Sequence, residues 1–320
     1  MRRQPSRCGD STPRPARWPT RRSSFGAWAI GGGDWEHGWG PQDDEPSIAA
    51  IHHALEHGIN WIDTAAAYGF GHSEGVVGRA LEGLQSARTC SPRPRPWTAH
   101  RRVVHSLKRD SILREAQASL KRLGVEAIDL YQIHWPIPEE DIEEGWSAFA
   151  ELTDQQLVRH IGVSNFDVEQ LRRIQQIAPV ETLQPQYSLI ERGIERAILP
   201  YTREHGIGVI AYSPMASGML TGAMTRARAA ALPDNDWRKH DPRFNEPQLS
   251  RNLELVDRLT AVADRHDTTP GAVAIAWALR NPAVDGAIVG FRSPDQVDPL
   301  TDATNLELSD EDITTIEGAQ

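Results

Sequence analysis

Cysteine and lysine are scarce in this 320-residue chain, and long apolar runs are missing altogether. Two cysteines, Cys8 and Cys90, are too few for a disulfide framework or a thiolate metal cage. A reducing, cytoplasmic setting is therefore expected. Every apolar stretch falls short of the ~18 residues a membrane span needs, so no membrane partner is expected. Positive charge is also in deficit, with 34 basic against 44 acidic side chains and a formal charge of −10. A chain of that sign is repelled by phosphate backbones and anionic lipid, which argues against nucleic acid as a partner. His134, His160 and the other histidines do not stand with carboxylates at metal-ligand spacing, so no metal is expected.

What is present suits one sizeable folded domain. The hydrophobic fraction is 39%, and 25 glycines and 22 prolines are scattered rather than periodic. Two stretches stand apart from the rest. Residues 1–24 hold seven arginines and one aspartate without apolar periodicity, and read as disordered or aberrant. Residues 86–102 (SARTCSPRPRPWTAHRR) hold five arginines, three prolines and no acid. The remainder carries 22 basic and 43 acidic residues, so the body of the chain is strongly acidic. Three readings of the basic segments stand side by side. One is a basic tail and loop for an acidic partner, or a transit peptide; another is a displaced start and a local reading-frame disturbance, which would generate Arg, Pro, Ser and Ala without pattern; the third is an ordinary solvated insertion.

From residue 47 onward short apolar runs alternate with amphipathic segments, the rhythm of βα units and a parallel sheet. Strands are expected at 25–31, 59–63, 128–134, 159–165, 181–186, 208–213 and 286–290. Helices are expected around 47–57, 73–84, 110–123, 141–156, 167–177, 193–205 and 250–280, with Ser47, Ser73, Asp110 and Asp167 as opening caps. The pattern predicts an α/β fold, a (β/α)8 barrel over 25–320, with the third strand anomalous because 86–102 stands where it should be. Three prolines, Pro92, Pro94 and Pro96, each remove a ladder donor there. Polar or aromatic residues close nearly every strand: Asp63, His134, Ser164 with Asn165, Gln184, and Tyr212 with Ser213. In such a barrel the C-terminal strand ends build one shared site.

The segments DTAAAYGFGHSE (63–74), IDLYQIHWP (128–136), HIGVSNF (160–166), LQPQYSL (183–189), VIAYSPMASGMLTG (209–222) and VGFRSPDQV (289–297) come in a telling order. Together they resemble the aldo-keto reductases, NADPH-dependent (β/α)8 carbonyl reductases, over roughly 25–85 and 103–320. The family's catalytic set is Asp, Tyr, Lys and His. The resemblance implies Asp63 and Tyr68 for the first two and His134 for the last. Tyr68 would protonate the developing alkoxide of an aldehyde or ketone as hydride arrives from NADPH, and His134 would orient the carbonyl oxygen. Read singly, Asp63 is equally a cap, Tyr68 packing, and His134 a satisfied buried histidine. The family's lysine has no counterpart, since Lys108, Lys121 and Lys239 all lie elsewhere. A second reading follows from that gap: an NADPH-binding barrel with little or no turnover.

The same resemblance implies a cofactor wall. Ser164, Asn165 and Gln184 would hold the nicotinamide carboxamide, and Tyr212 would stack on its ring. Ser213, Pro214, Met215, Ser217, Gly218 and Leu220 would form a loop of small residues against the pyrophosphate. Gly290 and Arg292 would receive the 2′-phosphate, an arginine fork favouring NADPH over NADH, with Gln296 near the adenine. Trp28 is the expected substrate-pocket residue; Trp35, Trp39 and Trp135 are equally packing or pocket wall. The 223–249 segment is a long loop of the kind that closes over a cofactor.

Overall fold

The structure is a computed structural model, and it describes residues 23–33, 35, 37–84, 88–90 and 105–318. The two basic segments lie largely outside the described residues. Eight parallel strands close into a barrel in chain order: β1 (Ser23–Gly26), β2 (Trp61–Asp63), β3 (Arg88–Cys90), β4 (Ile128–Ile133), β5 (Val158–Ser164), β6 (Thr182–Gln184), β7 (Gly208–Tyr212) and β8 (Gly286–Gly290). The ring shuts where Ser23 to Gly26 pair with Ala287 to Gly290.

The third strand forms after all. It lies ahead of the prolines that argued against it, at residues where no ladder donor is lost. Among the described residues three register pairs join it to β2, ending at Asp63 beside Cys90, and Cys90 beside Leu130 joins it to β4. The first strand is also displaced from the expected 25–31. β1 ends at Gly26, and the apolar residues Trp28–Ile30 form a 3-10 turn instead.

Around the barrel run α1 (Asp44–Glu56), α2 (His72–Leu81), α3 (Arg109–Leu123), α4 (Ile142–Asp154), α5 (Val168–Ile174), α6 (Ile198–Glu204), α7 (Arg226–Ala230), α8 (Gln248–Arg265), α9 (Pro270–Leu279), α10 (Asp298–Thr301) and α11 (Asp310–Glu317). Asp167 caps α5 reciprocally with Gln170, as its position predicts. Ser47, Ser73 and Asp110 instead lie inside α1, α2 and α3; Ser73 Oγ bonds Thr64 Oγ1 and Ala27 O and so ties α2 to the first βα connection. The expected 250–280 helix is two, broken where Thr269 caps α9 and Pro270 opens it.

Strand alternation sends Trp61, Leu130, Ile210 and Ile288 into the barrel's interior, where they pack together. The alternate residues, such as Ile62, Val209 and Val289 on one side and Tyr131 and Ile133 on the other, pack against helices in two larger cores. The interior stack forms a floor, and the strands' C-terminal ends rise above it. Among the described residues no helix is long and apolar enough to cross a membrane.

Candidate active site

The C-terminal strand ends open into one cavity of about 830 Å³. Asp63 ends β2 and is buried; its Oδ2 accepts a 3.0 Å hydrogen bond from Gln184 Nε2. The same amide donates to Gln132 Oε1 at 2.9 Å, and Gln132 Nε2 donates to Thr182 Oγ1 at 3.1 Å. A chain of buried amides thus fixes the carboxylate from below. Tyr68 stands on the loop after β2, where Gly31 lies against its backbone: a Cβ on Gly31 would sit 3.0 Å from Tyr68 C, and one on Gly69 only 1.9 Å from Gly31 O. Glycine at both places lets two loops touch and sets the phenol's height over the floor.

Rings surround that phenol. The His134 imidazole meets it edge-on at 6.0 Å, Trp28 lies nearly parallel at 6.3 Å, and Trp35 tilts against it at 6.1 Å. Trp28, Trp35, Trp39 and Trp135 all line the cavity. So does Trp237 from the long loop, stacked on Trp28 at 5.4 Å. Asp236 pairs with Trp39 in an isolated antiparallel bridge, and Arg238 lies 4.4 Å over the Trp39 ring. The 223–249 segment is therefore docked across the mouth.

On the opposite wall, Asn165 holds two elements together. Its left-handed backbone, which asparagine tolerates well, aims Nδ2 at His134 O (3.1 Å) and lets Oδ1 accept from the Tyr212 hydroxyl (3.0 Å). Ser213, Ala216, Ser217 and Gly218 also have positive φ, three of them non-glycine. Such backbone costs about 1–2 kcal/mol per residue and concentrates at functional loops; here it closes tight turns in which Ala216 N–H donates to Ser213 O and Gly218 N–H to Met215 O. Thr269 and Gly271, at the N-terminus of α9, face the same space.

Arg292 forms the far end. Its Nε donates to Gln42 Oε1 (2.6 Å), Nη1 to Trp39 O (3.2 Å) and Nη2 to Pro41 O (2.6 Å). All three acceptors are neutral. Burial, then the charge of nearby Arg238, pushes the Arg292 pKa down, so an anion would relieve it. Asp236 is the nearby counter-charge: burial alone would raise its pKa, but bonds from Arg238 and the field of Arg292 hold it low. Among the described residues four arginines (228, 238, 243 and 292) line the cavity against two aspartates, 63 and 295, although the body of the chain is acidic.

The family sequence model described as "Aldo/keto reductase family" matches residues 24–320. The chain belongs to the aldo/keto reductase family. It is 38% identical over 294 residues to the aldo-keto reductase YhdN of Bacillus subtilis, covering 91% of this chain and 87% of that one. It is 32% identical over 310 residues to the NADH-specific methylglyoxal reductase of Escherichia coli, covering 92% of each. Its fold matches the solved glycerol dehydrogenase AKR11B4 from Gluconobacter oxydans with a TM-score of 0.85 and 37% identity, over 95% of this chain and 92% of that chain. Aldo/keto reductases are oxidoreductases of small carbonyl compounds and use nicotinamide cofactors.

Of the residues that this family resemblance singled out, the structure brings Trp28, Asp63, Tyr68, His134, Asn165, Tyr212, Ser213, Pro214, Met215, Ser217, Gly218, Gly290, Arg292 and Gln296 to the cavity wall. Ser164, Gln184 and Leu220 do not reach it. Ser164 Oγ is spent on Gln184 O, Gln184 turns inward to Asp63, and Leu220 packs in the core. Gln186 lines the cavity instead. No lysine of this aldo/keto reductase lines it among the described residues; Lys108, at the head of α3, binds Asp141 and Glu144. Sequence reasoning missed Gln132, Gln186, Trp237, Arg238 and Thr269. Only Thr269 carried a readable signal, a cap residue followed by proline.

Proposed function

We propose that this aldo/keto reductase reduces an aldehyde or ketone with NADPH, Tyr68 donating the proton and His134 positioning the carbonyl oxygen. One observation carries the reading: a single cavity joins the Tyr68–His134 pair to the Arg292 end. The residues fit a nucleotide cofactor. The left-handed 213–218 backbone and the α9 N-terminus suit phosphate oxygens, and Arg292, bound only to neutral acceptors, suits a further phosphate. When bound, the cofactor supplies the hydride.

The remaining work falls to side chains of this chain. Tyr68 releases its proton to the oxygen as negative charge develops there, and His134, edge-on to the same ring, donates a hydrogen bond that orients that oxygen. Asn165 steadies both ends through His134 O and Tyr212. Trp28, Trp35 and Trp237 shed water and favour an apolar or aromatic carbonyl compound. A phenol of ordinary pKa ~10 is a weak acid near neutrality without a cation beside it. Among the described residues no lysine lines the cavity, and that observation favours the second reading, a barrel that binds NADPH with little turnover.

The test is fluorescence titration of the purified chain with NADPH and with NADH, paired with turnover of an aromatic aldehyde. Preferential NADPH binding with turnover supports the first reading. NADPH binding without turnover supports the second, and failure of the folded chain to bind either nucleotide defeats both.

A further inference from the structure

Outside the cavity, α1 ends in two histidines one turn apart. His53 and His57 stand at i and i+4, so both rings project from one helix face, their centroids 4.1 Å apart. Asp298, the first residue of α10, meets them there. Its Oδ1 lies 2.5 Å from His53 Nε2 and 3.7 Å from His57 Nε2, and one ligand atom from each residue falls within 4.8 Å of the other two. The expectation that no histidines cluster with a carboxylate at metal-ligand spacing is overturned here, because the fold brings together residues far apart in the chain.

Three features distinguish this trio from an ordinary surface ion pair. First, His57 Nδ1 lies 2.8 Å from His53 O, and a carbonyl can only accept, so the proton sits on Nδ1 and the lone pair on Nε2. That is the tautomer a metal requires, held by the outer-shell bond that ligating histidines usually have. Second, His57 caps the C-terminus of the 13-residue α1, where the negative end of the helix dipole favours a cation. Third, the side chains are 27%, 41% and 60% exposed, leaving room for water as a fourth ligand and for small adjustments. Tetrahedral bonds of ~2.0–2.2 Å set neighbouring ligand atoms ~3.3 Å apart. His53 and Asp298 must then separate by about 0.8 Å, and His57 must approach by a few tenths, both within reach of exposed side chains.

The geometry points to a divalent transition-metal site of the zinc type, made by His53 Nε2, His57 Nε2 and Asp298 Oδ1. Two imidazoles and one carboxylate suit zinc, cobalt or nickel rather than magnesium or calcium. The metal would have a structural task. Gln42, just before α1, accepts from Arg292 Nε and donates to Ser47 Oγ and Arg292 O, so the opening of α1 is already fastened to the Arg292 end. A metal on Asp298 would fasten the close of α1 to α10, whose next residues Pro299 and Leu300 line the cavity.

Cobalt(II) added to the metal-free full chain is the direct probe, because tetrahedral sites with nitrogen ligands give intense visible absorption. One cobalt per chain with those bands is expected, displaced by zinc. His57→Ala and Asp298→Asn should each abolish the bands or weaken binding at least tenfold, while His72→Ala, which removes another exposed histidine paired with an aspartate, leaves them intact. Absence of bands in the folded parent chain, bands that survive both substitutions, or bands lost with His72→Ala would each overturn the assignment. Circular dichroism of each variant separates loss of the site from loss of the fold.

Discussion

At the Tyr68 end of the cavity, aromatic rings and a histidine surround a carboxylate held by an amide; at the Arg292 end, a guanidinium bound to neutral oxygens lies near a curled loop and a helix N-terminus. The first end rests on the β2–β3 pairing, where Asp63 sits in register with Cys90, the last residue of a three-residue strand. The second rests on β7, β8 and α9, where strand pairing is multiple and packing continuous. On the proposed reading, binding and chemistry draw on different stretches of chain.

The sharpest way to separate the ends is Tyr68→Phe, which should cut turnover about 10²–10⁴-fold while leaving the NADPH Kd within about twofold; a comparable loss of binding would show that the ends are one unit. Arg292→Ala should do the converse, weakening NADPH about 10–100-fold, the worth of a charge-assisted bond, with NADH unchanged in the same titration. Smaller is the gain expected from Cys90→Lys, which puts a cation at the register position beside Asp63. It should raise turnover at pH 7 about tenfold and move the rising acid limb of alcohol oxidation to lower pH, because a neighbouring cation stabilises phenolate; an unmoved limb would exclude a charge deficit as the fault.

The least effect on either end should come from Asp312, in the capping box of α11. Burial alone would raise its pKa, but bonds from Arg265, His266 and Ser309 hold it far below the usual carboxylate range. A depressed folded pKa contributes stability above the unfolded value of ~3.9 that is lost as pH falls below it. Asp312→Asn should therefore lower the urea midpoint at pH 7 and flatten its decline below about pH 4, without altering the Kd for NADPH.

The barrel was legible because buried parallel strands write themselves as short apolar runs, each ended by a polar residue. Composition misled at two strands. Trp28, Ala29 and Ile30 are as apolar as a strand yet turn as a 3-10 helix, and the prolines of 86–102 hid a strand that ends two residues before the first of them. The site was legible where a residue follows a strand end directly, as His134 and Asn165 do. Gln184 shows the limit: strand alternation fixes the face a residue leaves from, not which neighbour claims its amide. Trp237 and Arg238 reach the cavity through a loop without periodicity, and the His53–His57–Asp298 cluster depends on a contact between the first helix and the tenth.

Trp28, Trp39 and Trp237 have ring centroids 5.4–5.9 Å apart, and the third arrives on the long loop. Indoles that close share their electronic excitation, so the trio should produce a coupled signal in the near-ultraviolet circular dichroism. Lifting the loop would remove one oscillator and collapse that signal. The chain thus carries a built-in optical gauge of whether its mouth is covered, readable without any label.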